Sequence, residues 1–362
     1  MSANPDARSG ALNLLVNCVG VTAREHVLLV EETPENKFYR RELADVLAGQ
    51  VLALGARVSR ISADPTMHPM GFPSAVLERM AEADHAVFLN RIGDYSRFTP
   101  VPGTCSKTLC YALDGEMLGS RYSSVSHRLM TRLLQRLEDE LLAARTWRIT
   151  CKLGTDIAGT FCWPSLAGRD DDEFTLSLFP VTTFKPVPCN TANGTVVISC
   201  WLMPGGAARV HPATVSFEGH VTMRVRDGML GAVDGPTASV RTVAQHYDLV
   251  ANELGVTRNR VHSWHAGINP HTFFSGPVED DLERWGAVSF SSPRYLHFHT
   301  CGDVPPGEIA WSVFNPTVWV DGEIYWHDGQ FVWLEREDNR ALIARYPGAE
   351  CLLAESADIG VS

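Results

Sequence analysis

Seven of the thirteen histidines fall between His246 and His327, an interval under a quarter of the chain. Two of them, His297 and His299, sit in Tyr295-Leu296-His297-Phe298-His299, a segment with the composition of a strand. Strand alternation puts both imidazoles on one face, at a spacing that chelates a metal ion or clamps a carboxylate. A polar strand face with hydrogen-bonded histidines has the same pattern, and residue types alone leave both readings open. His265 precedes the turn Gly267-Ile268-Asn269-Pro270, and such turns commonly display functional side chains. His262 and His271 flank the same turn and read as surface or packing residues.

Other arrangements carry less chemistry. His246 and Asp248 form a His-x-Asp pair inside a helical pattern, where positions two apart diverge, so the pair reads as structural. His327 and Asp328 belong to Trp326-His327-Asp328-Gly329, the composition of a hairpin bend. The acidic run Gly168 to Glu173 reads as a solvated loop. The sequence lacks H-E-x-x-H, G-x-x-x-x-G-K-[ST], G-x-S-x-G and G-x-G-x-x-G, which removes the common zinc-protease, phosphate-loop, serine-hydrolase and dinucleotide signatures.

Two kinds of element must position these residues. From His26 the chain alternates short β-rich runs (His26 to Glu31, Arg57 to Ile61, His85 to Asn90) with helical patterns over Tyr39 to Leu54 and Pro73 to Ala83. Strands separated by helices imply a parallel sheet covered by helices. A long amphipathic helix, Leu129 to Ala144, closes this part. Beyond it the periodicity is strand-like over Trp147 to Leu153, Thr195 to Leu202, Ala213 to Val225, Val318 to Tyr325 and Gln330 to Glu335, with one helix at Val243 to Leu254. The expectation is an α/β domain over residues 1–146 and a β-rich α+β domain over residues 147–362 that carries the histidines. The first has no phosphate loop and reads as a scaffold and cleft wall.

At 362 residues the chain is long enough for two cores. A formal charge of −11 without any basic run argues against nucleic acid and anionic membranes as partners. The polar stretch Met1 to Gly10 and the absence of a long apolar run point to the cytoplasm. Nine cysteines without a C-x-x-C pair read as reduced thiols, with Cys110, Cys151, Cys162 and Cys200 beside apolar neighbours in packing roles.

Several short pieces occur together in order: Gly154-Thr155-Asp156, Phe179-Pro180, Ala192-Asn193-Gly194, Gly267-Ile268-Asn269-Pro270, and the turns Asp321-Gly322 and Asp328-Gly329. In their order and spacing the chain resembles the family of thermophilic metallo-aminopeptidases and its relative, the iron-dependent 2,5-dihydroxypyridine dioxygenase. The resemblance implies a metal-binding histidine at His265 and another near His297. It also sets Glu308 and Ala310 at the family's His-x-Asp, and Thr183 at a glutamate. Alanine has no donor, and a centre of this kind needs about three N or O ligands.

The resemblance therefore implies a member that kept the groove between its domains and lost its metal: a non-catalytic peptide-binding protein, a homodimer without cofactor. It would assist modification of a precursor peptide, with that peptide and a modifying enzyme as partners. Its ligand would meet His265, Asn269, His297, His299 and Glu308, with Trp264, Phe273, Phe274, Trp311, Trp319 and Trp326 as apolar surface. The alternative is an iron or zinc enzyme, a ring-cleaving dioxygenase or an aminopeptidase, with a ligand set rebuilt from His265, His297, His299 and Glu308.

Overall fold

The computed structural model of the chain describes residues 7–65, 72–95, 103–163, 175–205, 210–302 and 307–361. The acidic run Gly168 to Glu173 lies outside them. The chain divides into two compact units: Met1–Arg132 with Ala167–Thr182 and Ile343–Ala349, and Leu133–Leu166 with Thr183–Leu342 and Glu350–Ser362.

In the first unit, strands β1 (His26–Glu32), β2 (Arg57–Ala63), β3 (His85–Leu89) and β4 (Ser106–Cys110) run parallel, and Ser177–Phe179 adds a fifth parallel strand beside β4. The order is β2-β1-β3-β4 and then Ser177–Phe179. Val27 to Val30 and Ala86 to Leu89 are buried, as expected for strands covered on both faces. The helix Glu42–Ala53 buries Leu43, Leu47 and Val51, one stripe at helical spacing. It begins three residues later than its apolar pattern, at Glu42 rather than Tyr39; just before it the Arg40 N–H donates to the Leu113 carbonyl at 2.8 Å, and the Tyr39 hydroxyl donates to the Cys110 carbonyl.

The helix His127–Ala143 starts on a partly buried histidine. Burial lowers the His127 imidazole from its usual pKa of 6.5 to about 4. A depressed histidine is neutral in the folded state, whereas the unfolded chain takes up the proton below about pH 6.5. Its contribution to stability is therefore intact above that pH and lost as pH falls toward 4. Unfolding free energy should drop by about 2 kcal/mol through this group between pH 7 and pH 5, and a His127→Gln variant should show a correspondingly flatter slope in urea titrations. An unchanged slope would exclude His127 as the cause.

In the second unit the strands are β5 (Thr146–Thr150), β6 (Asp156–Thr160), β8 (Val187–Pro188), β9 (Asn193–Pro204), β10 (Val215–Arg226), β11 (Met229–Asp234), β12 (Val261–Ala266), β13 (Tyr295–Thr300), β14 (Ile309–Phe314), β15 (Thr317–Val320) and β16 (Glu323–Trp326), with β7 being Ser177–Phe179 of the first sheet. They pair antiparallel in the order β16-β15-β5-β6-β9-β14-β13-β12-β8, with β10 and β11 attached through β9. An α/β part with a parallel sheet and a β-rich part agree with the sequence reading.

Three local expectations are corrected. Val318 to Tyr325 is a hairpin, since Asp321 and Gly322 both take positive φ (48° and 85°), the geometry of a tight two-residue turn. Gln330 to Glu335 is no strand; Val332–Glu335 forms a short 3-10 helix, and Phe331 stacks between Trp326 and Trp333 at 4.5 and 5.4 Å. Among the cysteines, Cys110 is buried and Cys151 and Cys200 are half-buried, but Cys162 is exposed, because it follows the end of β6 rather than lying inside a strand. No helix among the described residues is long and apolar enough to cross a membrane.

Candidate metal centre

Strands β12, β13 and β14 lie side by side in the interior of the second sheet, and β13 and β14 are buried along their whole length. In β13 alternation places Tyr295, His297 and His299 on one face, with Leu296 and Phe298 on the other. Antiparallel register then decides their neighbours: His265 of β12 stands opposite His297, and Ser263 opposite His299. On the other flank Ser312 of β14 faces His297, and Ala310 faces His299. Directly paired residues share a face, so one small area of sheet carries three imidazoles, with Ser263, Ser312 and Ala310 as cross-strand neighbours and the Tyr295 ring 5.4 Å from that of His297.

The three rings converge. Their centroids are 4.1 Å apart for His265 and His297, and 4.8 Å for each of the other two pairs. One ring nitrogen from each lies within 4.8 Å of the others, and all three residues are at least nine-tenths buried. Among the described residues this is the only such grouping of His, Cys, Asp or Glu.

Hydrogen bonds behind the rings determine which nitrogens face inward. The Thr183 hydroxyl donates to the Ala266 carbonyl at 3.0 Å, so toward His265 it offers only lone pairs. It stands 3.0 Å from His265 Nδ1, with the Phe184 carbonyl at 3.3 Å from the same nitrogen. Two acceptors fix the proton on Nδ1 and leave the Nε2 lone pair pointing into the cluster. There Nε2 lies 2.6 Å from His297 Nε2. His299 Nδ1 is held by Ser263 Oγ at 3.2 Å, which also meets His262 Nδ1 at 2.8 Å. Ligand histidines are commonly oriented through their second nitrogen in this way.

Not every expected site residue joins. Glu308 is outside the grouping of ligand atoms; its backbone N–H donates to the Thr300 and Cys301 carbonyls, both at 3.0 Å. The Asn269 side chain accepts from the His271 N–H at 3.1 Å and its carbonyl accepts from Thr272, so it shapes the turn after His265. Trp264, Trp311 and Trp326 are sealed in the core and offer no surface to a ligand, while Phe273, Phe274 and Trp319 are half-buried. Trp326 instead donates from its indole N–H to the Gly267 carbonyl at 3.0 Å, pinning the same turn. His246 lies buried in the helix Thr237–Leu254, as read from its spacing.

Sequence reasoning missed Thr183 and Ser263 as supports. Thr183 is 82 residues from His265 and reaches it through an isolated bridge to Gly267. No local pattern marks such a contact.

No family model matches the chain, and no curated protein matches its sequence. Solved structures do. The fold is similar to that of 2,5-dihydroxypyridine dioxygenase from Pseudomonas putida KT2440, with a TM-score of 0.61 and 14% identity over 92% of this chain and 97% of that one. It is also similar to wild-type AmpT from Thermus thermophilus, with a TM-score of 0.49 and 13% identity over 90% and 98%. At these identities the likeness to the first concerns architecture, and the chain has the fold of that dioxygenase.

Proposed function

We propose that this protein is a metalloprotein whose His265, His297 and His299 hold one divalent ion, zinc or iron. The observation that carries this reading is the convergence of three buried imidazoles, with His265 held from behind by Thr183 and the Phe184 carbonyl and His299 held by Ser263. Three neutral nitrogen donors are a sufficient set for zinc and leave a position open. Iron centres of the facial type use two histidines and a carboxylate, and the three-histidine grouping found among the described residues favours zinc.

The arrangement fits an ion after a small adjustment. Two nitrogens each about 2.1 Å from one ion stand about 3 Å or more apart, so the 2.6 Å contact between His265 and His297 has to open slightly. The ion would polarise a bound oxygen or lower the pKa of a bound water. The protein's part is to fix the Nε2 lone pair of His265, to hold the ring of His299, and to keep the cluster within a buried strand face. Ala310 directly faces His299. With the resemblance assigning a metal-binding aspartate to that position, His299 offers a donor from the adjacent strand in its place.

A second reading, a metal-free peptide-binding protein that assists modification of a precursor peptide together with a modifying enzyme, draws on the same 2.6 Å contact. It lets His265 and His297 satisfy each other with no ion. Elemental analysis of protein purified without chelator separates the two. About one equivalent of zinc or iron per chain is expected, and a His265→Ala variant should carry little. Absence of metal from wild-type protein that also refuses added zinc would leave the peptide-binding reading standing alone.

A further inference from the structure

The first sheet holds a cavity that has no part in the histidine cluster. Its volume is about 590 Å3, and it opens at the carboxyl edge of the parallel strands, beside Glu31 and Glu32 of β1, Ser62 of β2 and Leu89 of β3. Because β1 lies between β2 and β3, the chain crosses from one side of β1 to the other at this point. In open parallel sheets the carboxyl ends at such a reversal are where ligands settle, and the volume suits a small molecule.

The rim is tied together from within. Asn90 is completely buried and donates to the Glu31 and Ala63 carbonyls, each at 2.9 Å, while its own oxygen accepts from the Ile92 N–H at 2.9 Å. Three strand ends are thus held in fixed relation.

Charge indicates what the cavity accepts. Three carboxylates stand at the rim, and each is already held. Arg60 takes Glu31 through two bonds of 2.6 and 2.7 Å and Asp45 through a third of 2.6 Å. Arg91 takes Glu32 at 2.8 and 3.1 Å. Arg40 and Arg41 line the same cavity, are exposed, and have no side-chain partner among the described residues. Arg91 neutralises Glu32, whereas Arg60 is shared by Glu31 and Asp45, so one negative charge remains and the two guanidiniums of Arg40 and Arg41 turn the balance at the rim positive. Their paired N–H donors match the oxygens of a carboxylate or a phosphate. The loop after β1, Thr33-Pro34-Glu35-Asn36-Lys37, has no glycine, so a backbone cradle of the phosphate-loop kind is missing and recognition falls to side chains.

We propose that this cavity binds a small organic oxyanion, a carboxylate or a phosphate monoester, through Arg40 and Arg41. Calorimetric titration of the full chain with succinate and, separately, with AMP tests it and distinguishes the two sources. Saturable binding of at least one at a single site is expected, weakened about tenfold or more in an Arg40→Gln/Arg41→Gln double variant. Both positions are exposed, so the variant should keep the wild-type circular dichroism spectrum and unfolding midpoint. The same titration of His265→Ala is expected to match wild type. Failure of both anions to bind at millimolar concentration, equal affinity in the double variant, or loss of binding in His265→Ala would each overturn the proposal.

Discussion

Zinc at a hundredfold excess over its dissociation constant is expected to raise the unfolding free energy of the wild-type protein by about 2.7 kcal/mol, and each of His265→Ala, His297→Ala and His299→Ala to erase that rise. The expectation follows from linkage: an ion held by three converging side chains binds the folded chain, whereas the unfolded chain has no such convergence. Removing one of three donors leaves too few ligands for firm coordination. Each variant also loses buried hydrogen bonds, so the comparison is made within each variant, by urea denaturation with and without zinc. Thr183→Val keeps all three imidazoles but removes one acceptor behind His265, and should weaken zinc binding by about tenfold. Full stabilisation retained in all three histidine variants would mean that zinc binds elsewhere.

The second large effect concerns the turn that follows His265. A Cβ added at Gly267 would stand 2.1 Å from the Ser291 carbonyl carbon and 2.3 Å from both its oxygen and the Ser292 nitrogen. These are backbone atoms with no flexible end to yield. The surrounding bonds would move with them: Gly267 N to Tyr295 O at 3.3 Å, Asn269 N to Ser291 O at 2.9 Å, and the Trp326 indole to Gly267 O. Gly267→Ala is expected to cost about 3 kcal/mol or more and to impair zinc binding, since the displaced segment adjoins β12. Gly49, in the helix Glu42–Ala53, meets nothing within 4 Å. Gly49→Ala should therefore raise stability by about 0.5–1 kcal/mol. Urea midpoints of the two variants check the contrast, and a Gly267→Ala loss below about 1 kcal/mol would show that the strands can part without cost.

Parts of the site were legible in the residues alone. His297 and His299 share a face because strand alternation is a property of five consecutive residues. His265 drew notice because it adjoins a Gly-x-Asn-Pro turn. Glu308 and Asn269 were expected beside them from family motifs; Glu308 lies outside the grouping of ligand atoms, and the Asn269 side chain accepts from the His271 N–H in the turn. Thr183 was expected as a vanished ligand, yet its hydroxyl contacts the back of His265. The aromatic residues near the histidines looked like contact surface, but composition does not reveal whether an indole faces a groove or a core, and Trp264, Trp311 and Trp326 face the core.

By itself, the sequence determined the two kinds of element, the parallel α/β run and the β-rich remainder, and the pairing of His297 with His299 on one face. These follow from hydrophobic period and local backbone sterics, which act over a few residues. Only the tertiary structure decided that His265 pairs opposite His297, that Thr183 and Ser263 contact His265 and His299 from behind, and that Ala310 faces His299. Those facts depend on which strands lie adjacent and in what register. Register is set by burial across residues far apart in the chain, and no local spacing encodes it.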